Sequence, residues 1–143
     1  MSTRSYIGKL LPGGSITGIY CHHDGYPEGV GVTLRDHYTD PAKVDALLAL
    51  GAISALGAEI GEKHEFATRS DEYEDVVDAY HRDRGEDLAP PKVYRDISDL
   101  RANASSDMGA EYAYVFTRGE WVALKLNGST GEFVTLGNVT RRW

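Results

Sequence analysis

The stretch that most narrows the possible folds lies near the C-terminal end, residues 111 to 136, EYAYVFTRGEWVALKLNGSTGEFVTL. Apolar and polar side chains alternate through it with a period of two, the spacing of a half-buried strand and not of a helix. Tyr112, Tyr114 and Phe116 fall on one face, and either Arg118-Gly119 or Gly119-Glu120 supplies the reversal into the run from Trp121 to Leu126. Asn127-Gly128 leads to a third run, Glu132 to Leu136, so the spacing predicts a three-stranded meander. The other end of the chain is also sheet-like. Residues 4 to 11 (RSYIGKLL) and 15 to 21 (SITGIYC) flank Pro12-Gly13-Gly14 and read as a hairpin. Alternation sets Ser5, Ile7 and Lys9 against Tyr6, Gly8 and Leu10, and Ile19 and Cys21 against Tyr20.

Between these ends the period changes. Val30, Leu34 and either His37 or Tyr38 recur at helical spacing, with a start near Glu28 or Gly29. Asp40 is placed to cap a second helix, Pro41 suits its first position, Val44, Leu47 and Leu48 form its apolar stripe, and Gly51 ends it. Residues 52 to 61 read as a short turn or packed loop with Ile53, Leu56 and Ile60 inward. Residues 62 to 95 are polar and are expected to be the most mobile part, with VVDAYHR as a strand and Arg84 to Glu86 opening a loop that runs to Pro90-Pro91. DISDLRANA reads as a short helix capped by Asp96 or Ser98. Strands at the ends and helices between predict a single α+β domain over 1–143: an antiparallel sheet from the hairpin and the meander, packed by short helices, those at 29 to 50 covering one face.

Composition removes several function classes. The 143 residues suffice for one core without staples, and 41% hydrophobic with 26% charged is a globular balance. Fifteen Lys and Arg against 22 Asp and Glu leave a net charge of −7, which repels phosphate backbones and argues against nonspecific nucleic-acid binding. A single cysteine, Cys21, forbids an intramolecular disulfide and a thiolate-rich zinc site. No apolar run approaches the roughly 20 residues that cross a bilayer, and the first residues lack the layout of a signal peptide. The expectation is a soluble intracellular protein with no membrane partner.

Chemistry-bearing side chains concentrate in two places. The first is GIYCHHDGYPEGVGVTL, residues 18 to 34. As a metal site, its Cys21, His22, His23 and Asp24 alternate between two faces of a strand, so an ion needs a distant ligand such as His37, His64, His81 or Asp83. No zinc spacing motif is present, and neither a metal nor a cofactor is assigned. Cys21 as a nucleophile competes with Cys21 as a small buried residue beside Ile19, and the plainer role prevails. Gly25, Gly29 and Gly31 precede or open a helix, where free N–H groups favour an anion. The alternative is a turn with positive φ at Gly25 and close packing at the others. The second place is Tyr80-His81-Arg82-Asp83-Arg84-Gly85-Glu86, where Arg82 and Arg84 share a face if the segment ends a strand and offer two guanidiniums to a phosphate or carboxylate. Surface ion pairing with Asp75, Asp78, Asp83 or Glu86 is the competing use.

MSTRSYIGKL, GIYCHHDGYPEGVGVTLRDHYTD, KVDALLALGAISALG, AYHRDRGE and YAYVFTRGEW occur in this order. The combination resembles small accessory proteins encoded by bacteriophages and prophages. That resemblance implies a phage origin and a role in the cytoplasm of the infected bacterial host; it brings no reaction and no catalytic residues. By analogy it favours a protein that blunts host defence or redirects a host enzyme.

The leading expectation is therefore a non-enzymatic accessory protein acting by stoichiometric binding, its partner a host protein or a small phosphorylated molecule. For the small molecule the expected site is Tyr20, His22, His23, Asp24 and Tyr26, joined by His81, Arg82 and Arg84. For a protein partner, an acidic face that mimics nucleic acid is the alternative. The rival class is a small hydrolase or transferase acting on a nucleotide or phosphodiester, with His22 or His23 as general acid or base, Asp24 orienting it, and Arg82 or Arg84 on the anion. A virion-associated structural protein is a third. The small-molecule site requires the two segments, sixty residues apart, to meet around one hollow.

Overall fold

Strands β1 (Ser5–Leu10) and β2 (Ile16–Cys21) form the expected hairpin, and their pairing runs without interruption from Leu10↔Ile16 to Ser5↔Cys21. The computed structural model describes residues 3–63 and 75–126 and the backbone of 133–135. Six further strands complete one sheet: β3 (Ile53–Ala55), β4 (Asp78–Ala79), β5 (Lys92–Tyr94), β6 (Tyr112–Thr117), β7 (Glu120–Lys125) and β8 (Phe133–Thr135). The order across it is β4-β3-β2-β1-β6-β7-β8, with β5 also paired to β2. The meander is present as expected; it turns at Arg118 and Gly119, both at positive φ, the conformation of a tight two-residue hairpin loop. Asn127-Gly128 lies outside the described residues.

The sheet is mixed, which corrects the expectation of a purely antiparallel one. Hairpin and meander join through β1 and β6 running parallel, Ile7 opposite Tyr114. The reason lies in β5, which pairs antiparallel to β2 and so runs in the same direction as β1 and β6. Helix α4 (Ile97–Met108) connects β5 to β6, and a helical crossover joins strands that run the same way.

Helices cover both faces. A π-helical turn (Pro27–Gly31) leads into α1 (Val32–His37), followed by α2 (Pro41–Leu48), which starts at the expected Asp40 cap, whose side chain accepts from the Ala42 N–H at 2.9 Å. Val30, Leu34, Tyr38, Val44, Leu47 and Leu48 bury against Ile7, Ile19, Cys21, Tyr114, Phe116 and Trp121 on one face. On the other, Leu100 and Ala104 of α4 lie against Tyr6, Ile16, Tyr94, Ala113, Val115 and Leu124. Asp96 caps α4 by accepting from the Asp99 N–H, and Gly109 ends it at positive φ. The 52–61 segment, expected as a short turn or packed loop, contains strand β3 (Ile53–Ala55), with Ile53 fully buried and Leu56 and Ile60 partly so.

In the polar middle, residues 64–74 lie outside the described residues. VVDAYHR is not one strand: β4 covers only Asp78–Ala79, and α3 (Tyr80–Arg84) begins at once. Gly85 at φ +73 ends α3, with the Glu86 N–H returning to Tyr80 O. Pairing then decides where these residues go. The free edge of β2 is shared, β5 taking Ile16 to Gly18 and β3 taking Cys21. Past Cys21 the ladder continues as His22 N–H to Ile53 O and His23 N–H to Ser54 O, at 3.1 and 2.9 Å. Since β4 pairs with β3, the start of α3 arrives beside the end of β2.

Candidate functional site

The turn after β2 is built by contacts from three directions. Asp24 sits at φ +57, a left-handed conformation that aspartate tolerates better than most residues. Gly25 was expected to take the positive φ; what it does instead is permit close approach. A Cβ there would fall 2.7 Å from Thr3 O and 2.8 Å from Ser5 Cβ. Its N–H donates to Thr3 O at 2.8 Å, and its carbonyl accepts from the buried Tyr114 Oη at 2.6 Å. Gly29 N–H donates to Tyr26 O and Val30 N–H to Asp24 O. The N–H groups of Gly25, Gly29 and Val30, which would have faced a phosphate at this glycine-rich turn, are thus spent on backbone carbonyls, and that reading is set aside.

The Tyr114 bond ties the turn to the middle of the sheet. Tyr114→Phe leaves the buried Gly25 carbonyl without this donor and is expected to cost about 1–3 kcal/mol. Chemical denaturation reads the loss, and the amides of Asp24 to Tyr26 should gain hydrogen exchange ahead of the rest of β2.

Beside the turn, Tyr20 and His22 project from the same face of β2, and Tyr20 Oη meets His22 Nδ1 at 2.6 Å. Extending the hairpin register one pair beyond Ser5↔Cys21 sets Arg4 opposite His22. Arg4 hydrogen-bonds the Tyr20 hydroxyl, and Tyr80 at the start of α3 is close enough to act on it electrostatically. Arg84 stacks over the Tyr80 ring, 5.0 Å from its centroid, and bonds Ser54 Oγ at 3.1 Å and Asp78 Oδ2 at 3.2 Å. Burial raises the Tyr20 pKa, so its proton stays on. His22 is pushed the other way, first by loss of solvation, then by His23, Arg4 and Arg84, all of which oppose a positive charge on the ring. At neutral pH His22 is uncharged, and with the Tyr20 hydroxyl as donor to Nδ1 the ring carries its one N–H on Nε2.

The segments approach each other, Arg84 being among the cations that act on the His22 ring, but the hollow beside the turn is lined by no residue of 80–86. Arg82 does not join them. In helix α3 it lies two positions from Arg84, about 200° around the axis, whereas a strand end would have set both on one face. Its guanidinium is spent on Asp83 Oδ1 and Oδ2 at 2.9 and 3.0 Å, Gly61 O at 3.0 Å and Val77 O at 2.8 Å. His81 is exposed and uses Nδ1 on Glu86 O at 2.8 Å, closing the end of the same helix.

His23, Asp24 and Tyr26 face a different hollow, of about 160 Å³, on the α1 side of the turn. Tyr26 Oη donates to Asp24 Oδ1 at 3.2 Å. His22 is thus oriented by a tyrosine, and the bond to Asp24 comes from a tyrosine as well; neither is the histidine–carboxylate pairing that a general base would use. Cys21 is fully buried, its thiol directed at His23 O and pushed up to about 12 by burial, the behaviour of a core residue. Among the described residues no three His, Cys, Asp or Glu side chains gather as a metal-binding group. Asp83 is buried against Arg82, His37 is exposed at the end of α1, and His64 lies outside the described residues.

No protein-family model, curated protein or solved structure matches this chain. The cluster adds Arg4, Ser54 and Tyr80 to the residues expected from sequence. Arg4 was within reach of the hairpin register alone; Ser54 and Tyr80 depend on β3 and β4, which are too short to announce themselves by alternation.

Proposed function

We propose that this chain is a phage-encoded accessory protein that works by stoichiometric binding in the infected host, and that it captures a small phosphorylated ligand against Arg4, Tyr20, His22, Tyr80 and Arg84. What supports this reading is the Tyr20–His22 pair, with Arg4 opposite it in the hairpin register and Arg84 held on Ser54 and Asp78 among the cations that act on its ring, in a chain of net charge −7. Arg4 and His22 offer N–H donors, the arginine fork of Arg4 matches phosphate oxygens, and Arg84 adds positive charge from its place on Ser54 and Asp78. Tyr20 and Tyr80 supply ring surface beside them. Asp78, which is buried, pairs with Arg84 and holds it in place.

The test is an NMR titration of the His22 ring with and without inorganic phosphate. Without it, the midpoint should lie below the ordinary 6.5, because loss of solvation first, and then His23 and both arginines, oppose the added proton. A phosphate between the arginines cancels that repulsion, so the bound form takes up a proton as pH falls and the midpoint rises. Arg4→Gln, at an exposed position, should raise the midpoint of the free protein and weaken the response to phosphate. A midpoint that phosphate leaves unmoved counts against the reading. Mass spectrometry of small molecules released by denaturation, compared between the natural chain and Arg4→Gln, then identifies what the site retains from host lysate.

A further inference from the structure

We infer that the ligand of this site is a guanine nucleotide, its phosphate on Arg4, Arg84 and His22 and its base in the adjoining hollow lined by His23, Asp24, Tyr26, Glu28, Thr33 and Leu56. The inference rests on the anion-binding reading above and adds the identity of the base.

The two places are neighbours. The His22 and His23 rings meet edge to face with centroids 4.6 Å apart, one on the cationic cluster and the other on the wall of the hollow. A phosphate held at His22 therefore has its attached group within about one ring's length of the hollow. At about 160 Å³ the hollow is far smaller than the roughly 300–1,000 Å³ of drug-sized pockets, and suits a single planar ring system. The His23 ring and the Tyr26 ring, the latter 38% exposed, offer aromatic surface to it.

Charge decides which end goes where. Asp24 and Glu28 repel phosphate and call for a neutral group rich in N–H donors. Guanine alone among the common bases presents two adjacent donors on one edge, N1–H and the N2 amine, and a carboxylate accepts such a pair with both oxygens. Adenine and cytosine place an acceptor nitrogen beside their amine, and that nitrogen would face the carboxylate. Uracil and thymine place carbonyls on both sides of a single N–H. Asp24 accepts from Tyr26 through Oδ1, and of the two carboxylates on the hollow the guanine edge is assigned to Glu28.

Calorimetric titration of the full chain with GMP, IMP, AMP and inorganic phosphate tests this. IMP keeps N1–H and lacks the N2 amine; AMP has an acceptor at N1. GMP should bind at least about tenfold more tightly than either, because IMP leaves one carboxylate oxygen without its donor and AMP sets a lone pair against it. Glu28→Gln should erase that preference while leaving the affinity for inorganic phosphate as it was. Asp24→Asn, which keeps a residue suited to the left-handed turn, provides a second probe of the hollow. Equal affinity for the three nucleotides, weakened by Arg4→Gln, overturns the guanine assignment and leaves the anion site standing. A preference for GMP that survives both Glu28→Gln and Asp24→Asn overturns the placement of the base. Failure of all four probes to bind overturns the anion site itself.

Discussion

Replacing Gly18 by alanine is expected to lower the melting temperature by roughly 10 °C, a loss of about 3 kcal/mol at the upper end of ordinary overpacking. Gly8 and Gly18 face each other across the hairpin, and the ring of Tyr6 lies over the pair. From β1 that ring crosses β2 to place its hydroxyl on Lys92 O of β5 at 2.8 Å, with the Tyr94 ring edge-on at 5.3 Å. A Cβ at Gly18 would come within 2.4 Å of Ile7 O, 2.6 Å of Gly8 Cα and 2.6 Å of Tyr6 Cζ. Two of those atoms are backbone in a central ladder, so the clash cannot be relieved by a rotamer change. Gly13→Ala is the control: nothing lies within 4 Å of a Cβ there, and its melting temperature should match the natural chain's. Equal melting temperatures for the two variants would show that Tyr6 does not require the glycine floor.

Arg82→Gln should be destabilising by a similar amount, about 3 kcal/mol, because it strips a fully buried carboxylate of its cation. The Asp83 side chain is 0% exposed in its pair with Arg82, and its Oδ2 also receives the Ala79 N–H at 2.8 Å. Removing the guanidinium also leaves Gly61 O and Val77 O without these donors, loosening the seam where β4 turns into α3. Thermal unfolding checks this against Arg4→Gln, whose exposed side chain should cost almost nothing. Of the two variants, only Arg4→Gln should weaken phosphate binding without lowering stability. If Arg82→Gln melts with the natural chain, the assignment of Arg82 to the frame fails.

The contrast between Arg82 and Arg84 shows where sequence reading stops. RDRGE looks like a small island of positive charge, and as a strand end it would turn both arginines outward together. Read as five residues of helix, the same letters send one arginine into the frame and the other to the Tyr80 ring. Periodicity cannot separate these cases over so short a segment. The same limit hid β5: a three-residue strand carries no usable alternation, and without it the parallel run of β6 beside β1 had no visible cause. The glycines of the HHDGYPEG turn were legible as special positions, but not in kind. Gly25 serves contact with Thr3 and Ser5, and the positive φ falls one residue earlier, on Asp24.

What the sequence determined by itself is everything that acts over a few residues. The hairpin, the meander, the Asp40 cap, the helical stripe of Val44, Leu47 and Leu48, and the burial of Cys21 all follow from alternation, helical period and capping chemistry, which also narrow the meander turn to Arg118-Gly119 or Gly119-Glu120 and the cap of α4 to Asp96 or Ser98. Tertiary structure decided the rest: which way the two sheet-forming ends run past each other, which arginine is spent inside, and that Arg4, His22 and Arg84 share one place. Those outcomes depend on pairings between strands tens of residues apart, chosen by which apolar faces the helices can cover, and no local pattern encodes that choice.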